Sequence, residues 1–122
     1  MYQYIVLSYI LIILLVGCGK RESGYDGKDQ TENNIQTTTI STPSIMCGMC
    51  VSTIKKTVSA VEGVYDVEVD LQKKITTVKF NRTKVDITTL EKFISDAGYD
   101  ANETPRNRES YNSLPDCCKD GK

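Results

Sequence analysis

Cys47 and Cys50, separated by Gly48 and Met49, form a CxxC pair. The two intervening residues turn the chain back, so both sulfurs can converge on one ion. Thiolates are soft ligands, and two of them facing each other suit a closed-shell soft ion such as Cu(I), whereas Zn(II) takes four ligands. The pair therefore predicts a soft-metal site, with Cu(I) as the first expectation and Hg(II), Zn(II) or Cd(II) as alternatives.

The position of the pair in the chain favours ionised thiols. A β-prone segment ends at Thr42, and a helical pattern begins near Val51. At the amino end of a helix, unpaired N–H groups and the helix dipole stabilise negative charge, and the thiolate is the metal-binding form of cysteine. We expect Cys47 and Cys50 to lie in an exposed loop, which argues against a buried structural pair.

Four further sulfur atoms are candidates for auxiliary roles. Met46 and Met49 flank the CxxC pair, where thioethers can act as soft ligands or form a mobile apolar rim. Cys117 and Cys118 are adjacent near the end of the sequence, and three uses compete: extra metal ligands, a disulfide to the CxxC pair, or an intermolecular bridge. Our hypothesis is that they fold back to enlarge the thiolate set or cap the site; the alternative is an unstructured tail.

Composition excludes several classes of function. The 122-residue chain contains no His, so a Ser/His/Asp or Cys/His catalytic arrangement cannot be built. The net charge is -1 with interspersed signs, and no stretch is both basic and aromatic, which argues against nucleic-acid binding. General acid–base chemistry would have to use carboxylates, Lys or Tyr. Our leading interpretation is a non-enzymatic metal-binding protein without a small-molecule substrate.

Two other interpretations of the cysteines stay open. A CxxC pair before a helix is also the motif of thiol–disulfide oxidoreductases. Alternatively, Cys47, Cys50, Cys117 and Cys118 together would supply the four ligands of a structural zinc module.

The amino-terminal residues predict a secretion signal and a membrane anchor. Ile5 to Val16 is an uncharged run, shorter than the roughly 20 residues that span a membrane and typical of a signal-peptide core. The sequence LVGC that ends at Cys18 resembles the bacterial lipobox, which implies lipidation of Cys18. The expected location is the bacterial cell envelope, with a lipid-anchored protein facing the periplasm or the exterior. Met1 to Tyr4 lack Lys and Arg, so an uncleaved anchor is the alternative.

Hydrophobic periodicity predicts two helices in the central part of the chain. The first carries apolar residues at helical spacing and is expected to end at Gly63. The second is expected to begin at Asp86, as its N-cap or first residue, and to close at Gly98. The apolar positions are Val51, Ile54, Val58 and Val61 in the first helix and Ile87, Leu90 and Ile94 in the second.

Four segments are predicted to be strands. They are residues 37–42, 67–71, 75–80 and a short last strand from Tyr99 to Glu103. Together with the helices they give the order βαββαβ, an α+β fold of the ferredoxin-like type. The predicted organisation is a lipoprotein signal peptide (1–17), a flexible tether (18–36), one domain (37–103) and a Cys-Cys tail (104–122).

The residues from Ile40 to Ala101 also carry a specific combination of motifs. It comprises an MxCxxC-like loop, Val51 and Ile54 after it, Glu62-Gly63-Val64, Val67 with Val69, and Ala97-Gly98-Tyr99. The segment resembles the heavy-metal-associated domain, the family of copper chaperones, periplasmic mercury scavengers and amino-terminal modules of copper-transporting P-type ATPases. The family usually has Gly-Met where this chain has Ser44-Ile45, and Ile45 is expected to take over the packing role of that Met.

The resemblance implies a role in metal handling. It implies a chaperone or scavenger that exchanges its ion with a metal-transfer partner protein, through Cys47 and Cys50. It also places Tyr99 at the position whose aromatic ring covers the metal loop.

Overall fold

Three antiparallel strands form the sheet of this protein, whose computed structural model describes residues 34–120. They are β1 (Ile35–Ser41), β2 (Val64–Asp70) and β3 (Ile75–Asn81), in the order β1-β3-β2. On β3, Thr76, Val78 and Phe80 are all buried, so alternation along the strand gives the sheet one core-facing side.

Two helices supply the other half of the core. Helix α1 (Gly48–Ser59) follows β1, and helix α2 (Ile87–Asp96) follows β3. Their buried residues lie at helical spacing and join the buried strand residues in one hydrophobic cluster. The buried helical members of that cluster are Cys50, Ile54, Val58, Leu90 and Ile94.

The predicted limits of α2 are confirmed. The side chain of Asp86 is the N-cap and accepts a hydrogen bond from the Thr89 N–H at 2.7 Å. At the other end, Ala97 is the C-cap and Gly98 follows with φ +99°, a conformation that non-glycine residues rarely adopt.

The predicted end of α1 is wrong. The helix stops at Ser59 with Ala60 as its C-cap, before the glycine is reached. Gly63, with φ +94°, leads into β2 instead, and its carbonyl accepts the Asn81 N–H at 2.7 Å. A Cβ at Gly63 would lie 2.7 Å from the Cβ of Lys84, so this glycine serves the close approach of two loops.

The predicted last strand, Tyr99–Glu103, is also wrong: between residues 34 and 120 the sheet has three strands. Only an isolated bridge joins Ala101 to Thr104. Asn102 has φ +50°, which interrupts the extended chain. Its N–H donates to the Ser41 carbonyl and its side-chain oxygen accepts the Ser41 N–H, both at 2.8 Å, so one asparagine takes the place of a strand at the end of β1.

After residue 104 the chain continues along the domain. A short helix, α3 (Arg108–Asn112), is followed by a 3₁₀ turn (Asp116–Cys118). The Asn107 N–H donates to the Ser95 carbonyl at 2.9 Å, which holds this segment against the end of α2.

The predicted signal peptide, most of the tether and Cys18 lie outside the described residues. Within residues 34–120, no helix has the length and apolar character needed to cross a membrane.

Candidate metal centre

The CxxC pair lies at the start of α1. Cys47 is the N-cap, in an extended conformation, and Cys50 is the third residue of the helix. The turn is closed by the Cys50 N–H, which donates to the Cys47 carbonyl at 3.0 Å. The two Sγ atoms are 3.6 Å apart, so helix initiation brings both sulfurs to one place.

The two cysteines differ in burial, and the expectation of two exposed thiols is wrong for Cys50. Cys50 is fully buried because it continues the apolar stripe of Ile54 and Val58, whereas Cys47 is half-buried. The Met46 N–H donates to the Cys50 sulfur at 3.4 Å, so the backbone just before the helix contacts this sulfur. The pair therefore combines an accessible sulfur with one fixed in the core.

Cys47 is ionised at neutral pH. Its pKa is lowered to about 6, first by the hydrogen bond with the Cys117 thiol and next by the backbone N–H of Cys50. The same contact raises the pKa of Cys117, so the proton stays on Cys117. Cys47 thus presents a nucleophilic thiolate beside the Cys117 thiol.

Both C-terminal cysteines reach this site. The Sγ of Cys117 is 2.9 Å from that of Cys47, and the Sγ of Cys118 is 3.5 Å from it. The sulfurs of Cys47, Cys50 and Cys118 all lie within 4.8 Å of one another, a set to which Cys117 does not belong. All four residues are free cysteines.

Tyr99 lies beneath the sulfurs. It is fully buried, and its hydroxyl has no hydrogen-bond partner among the described residues. Burial raises the pKa of Tyr99, and the neighbouring thiols of Cys118 and Cys50 raise it further. The hydroxyl therefore stays protonated and is available as a donor to sulfur.

The two methionines form an exposed rim. Met46 is 47% exposed and Met49 is 54% exposed. The Sδ of Met49 lies 3.7 Å from the Cys117 sulfur, whereas the Sδ of Met46 lies 3.6 Å from the Lys74 ammonium nitrogen.

Lys74, directly before β3, is a neighbour of the metal loop. Its side chain donates to the Ile45 carbonyl, so a positive charge borders the metal loop. The contact arises from strand pairing, because β1 and β3 run side by side and the Thr42 N–H donates to the Lys74 carbonyl at 2.8 Å. No local spacing in the sequence signals this proximity.

Residues 39–100 match the family of heavy-metal-associated domains. This chain belongs to that family. A mercuric transport protein periplasmic component from Shigella flexneri is 42% identical over 64 residues, which are 52% of this chain and 70% of that protein. Among solved structures, oxidised MerP from Ralstonia metallidurans CH34 shares 38% identity and a TM-score of 0.54, covering 56% of this chain and 94% of that one. A putative copper-ion-binding protein from Bacillus anthracis shares 28% identity and a TM-score of 0.55, covering 57% and 99%.

The heavy-metal-associated domain accounts for the fold and for the CxxC loop. Ile45, which stands where the family usually has Met, is fully buried in the core beneath that loop. The residues beyond 100, including Cys117 and Cys118, lie outside the matched region.

Proposed function

We propose that this heavy-metal-associated protein carries a thiophilic metal ion at the bacterial envelope without catalysing a reaction, and that Hg(II) is its principal cargo. The observation that supports the proposal is the convergence of the Cys47 and Cys50 sulfurs at 3.6 Å, with Cys47 ionised near neutral pH. Thiolates select soft ions over hard ones. Hg(II) is preferred to the Cu(I) expected from the motif because several relatives at 39–42% identity are mercuric transport proteins.

Loading would proceed by ligand exchange at the exposed side of the pair. The Cys47 thiolate attacks the incoming ion and displaces one of its solution ligands. Cys50 then binds as its proton passes to water, and a second solution ligand leaves. Release to a partner reverses these steps, with thiolates of the partner replacing Cys50 and Cys47 in turn.

Two observations support an envelope location and a metal-transfer partner. The similar mercuric transport proteins are described as periplasmic components, which suits an envelope location and a metal-transfer partner. In this chain the LVGC sequence ending at Cys18 adds a lipid anchor, and the residues between Cys18 and β1 link that anchor to the domain. Two or three acyl chains at about 0.8 kcal/mol per buried CH₂ would hold the protein stably at the surface.

A titration tests the proposal. Fully reduced protein is titrated with HgCl₂ under anaerobic conditions, and the sulfur-to-metal charge-transfer absorption is recorded. We expect saturation at one ion per chain for the wild type and for Ser52→Ala, an exposed position on α1. The double variant Cys47→Ser/Cys50→Ser should lose the tight phase, and equal uptake by this variant would reject the proposal.

Two further measurements separate the alternatives. Competition between Hg(II) and Cu(I) for the same protein sample identifies the preferred ion. Preference for Cu(I) would identify a copper carrier, an alternative that the similarity to the Bacillus anthracis protein also supports. An insulin-reduction assay should give no turnover above that of the double variant. Turnover that depends on Cys47 would instead identify a thiol–disulfide oxidoreductase.

A further inference from the structure

Residues 105–120 are packed against the end of α2, and we call this segment the strap. The Asn107 N–H donates to the Ser95 carbonyl at 2.9 Å. At Gly98 the approach is closer still, because a Cβ there would lie 2.9 Å from the backbone nitrogen of Tyr111. The strap therefore begins from a fixed position on the domain.

A second set of contacts closes the strap on itself. The Arg106 guanidinium donates to both carboxylate oxygens of Asp120 at 3.1 Å, and its central carbon lies 3.8 Å from the centroid of the Tyr111 ring. The Tyr111 hydroxyl also donates to Asp120. Charge-assisted and cation–π contacts of this kind fix geometry as well as adding energy. Residues 106–120 thus form a loop, and its far turn holds the two adjacent cysteines.

That turn places the two cysteine side chains in different surroundings, one buried and one exposed. In the 3₁₀ turn the Cys118 N–H donates to the Pro115 carbonyl at 2.9 Å, and the Cys118 side chain enters the core with 1% exposure. Leu114 packs against the same core, whereas Cys117 stays exposed. The strap therefore delivers one particular sulfur, that of Cys118, to the buried side of the CxxC pair.

The sulfurs of Cys47, Cys50 and Cys118 are close enough to share one ion, because all lie within 4.8 Å of one another. With metal–sulfur bonds of about 2.3 Å, a linear pair of sulfurs would be about 4.6 Å apart and a trigonal set of three about 4.0 Å apart. The distances from the Cys47 sulfur are 3.6 Å to Cys50 and 3.5 Å to Cys118. Both separations are nearer to the trigonal value than to the linear one, so small shifts of the side chains bring all three sulfurs onto one ion.

The surroundings of the Tyr99 hydroxyl support the same set of sulfurs. Buried hydroxyl groups almost always have a hydrogen-bond partner, yet this one has none among the described residues. The groups that act on it are the thiols of Cys118 and Cys50. A metal-bound thiolate at either position is an acceptor and would satisfy the hydroxyl.

We propose that Cys118 is the third sulfur ligand of the site, so that the ion is held by Cys47, Cys50 and Cys118. The Tyr99 hydroxyl donates to the buried thiolates of this set and positions them. Each thiol that binds releases its proton to water, and no electron transfer is involved. Cys117 remains outside the set, at the surface next to Cys47. This inference rests on the proposed function, since it concerns the same ion.

Counting the sulfurs around the ion tests the inference. The reduced full chain is loaded with one equivalent of Hg(II), and X-ray absorption gives the number of sulfur neighbours. We expect three sulfurs in the wild type, two in Cys118→Ala and three in Cys117→Ala. Two sulfurs in the wild type, or loss of the third in Cys117→Ala but not in Cys118→Ala, would overturn the assignment. A wild type that takes up no Hg(II) would refute the proposed function itself.

A measurement on the wild type covers the case in which Cys118→Ala does not fold. The rate of alkylation of each cysteine by iodoacetamide is followed by mass spectrometry, with and without Hg(II). Binding to Cys118 must slow its alkylation, at least about tenfold at an excess of metal over its dissociation constant. An unchanged rate at Cys118, with Cys47 and Cys50 protected, would show a two-sulfur site and contradict the inference.

Discussion

The CxxC turn and the strap place sulfur atoms at the same centre by different physical means. Cys47 and Cys50 are joined by one turn at the start of α1, and their separation follows from the hydrogen bond that begins the helix. Cys118 comes 71 residues after Cys47 and reaches it through side-chain contacts of the strap. Bringing together two sulfurs that are joined by one turn costs little chain entropy. Closing a long loop costs more, and the closed loop depends on every contact that holds it. The CxxC turn should therefore carry most of the affinity, and the strap should modulate it.

The largest expected effect is on metal affinity, and it differs between the two buried cysteines. Cys50→Ala should weaken Hg(II) binding by at least about 100-fold, equivalent to about 2.7 kcal/mol, because it breaks the local chelate. Cys118→Ala should cost about tenfold, since the local chelate of Cys47 and Cys50 remains intact. Competition titration against a small dithiol measures both. A larger loss for Cys118→Ala would reverse the ranking of the two regions.

The next effect concerns stability. Gly98→Ala should lower the free energy of unfolding by about 1–3 kcal/mol, because φ is +99° and the new Cβ would meet the Tyr111 backbone. Gly48→Ala is the matched control in the CxxC turn, where nothing lies within 4 Å of the added carbon. Urea denaturation of the metal-free proteins compares them. Equal stability of the two variants would contradict both the left-handed backbone at Gly98 and the packing of the strap against it.

A smaller effect is expected when the closure of the strap is weakened. Arg106→Met removes the contacts with Asp120 and with the Tyr111 ring, which are worth about 1 kcal/mol together at a partly exposed site. Hydrogen exchange should speed up at Cys118 and remain the same at Cys50. Arg108→Met, at an exposed position of α3, serves as the control. Acceleration at both cysteines would show that the two regions open together.

The smallest effect is a change in pH dependence. Because the pKa of Cys47 is lowered to about 6, its thiolate should predominate above about pH 6 and be protonated below it. The alkylation rate of Cys47 should therefore be high above this pH and fall below it. Cys117→Ala removes the main cause of that lowering, so the midpoint should move to higher pH. Alkylation rates of Cys47 from pH 5 to 9 provide the test. A midpoint that does not move would show that the helix start alone sets the ionisation of Cys47.

Sequence periodicity predicted most of the elements because each depends on neighbours in the chain. The buried stripe of α1 and the Asp86 cap of α2 are examples. The last strand was predicted wrongly, since the residues from Tyr99 onward look extended but Asn102 adopts a left-handed conformation and binds β1 by itself. The burial of Cys50 was missed although Ile54 and Val58 carried the signal at helical spacing.

The chemistry of the centre divides in the same way. The sequence alone determined that two soft ligands stand at the start of a helix, because CxxC spacing and helix initiation are local properties. Only the tertiary structure decided that Cys118 is buried beside them while Cys117 remains exposed, and that Lys74 borders the loop. These positions result from packing and strand pairing between distant residues, which no spacing along the chain encodes.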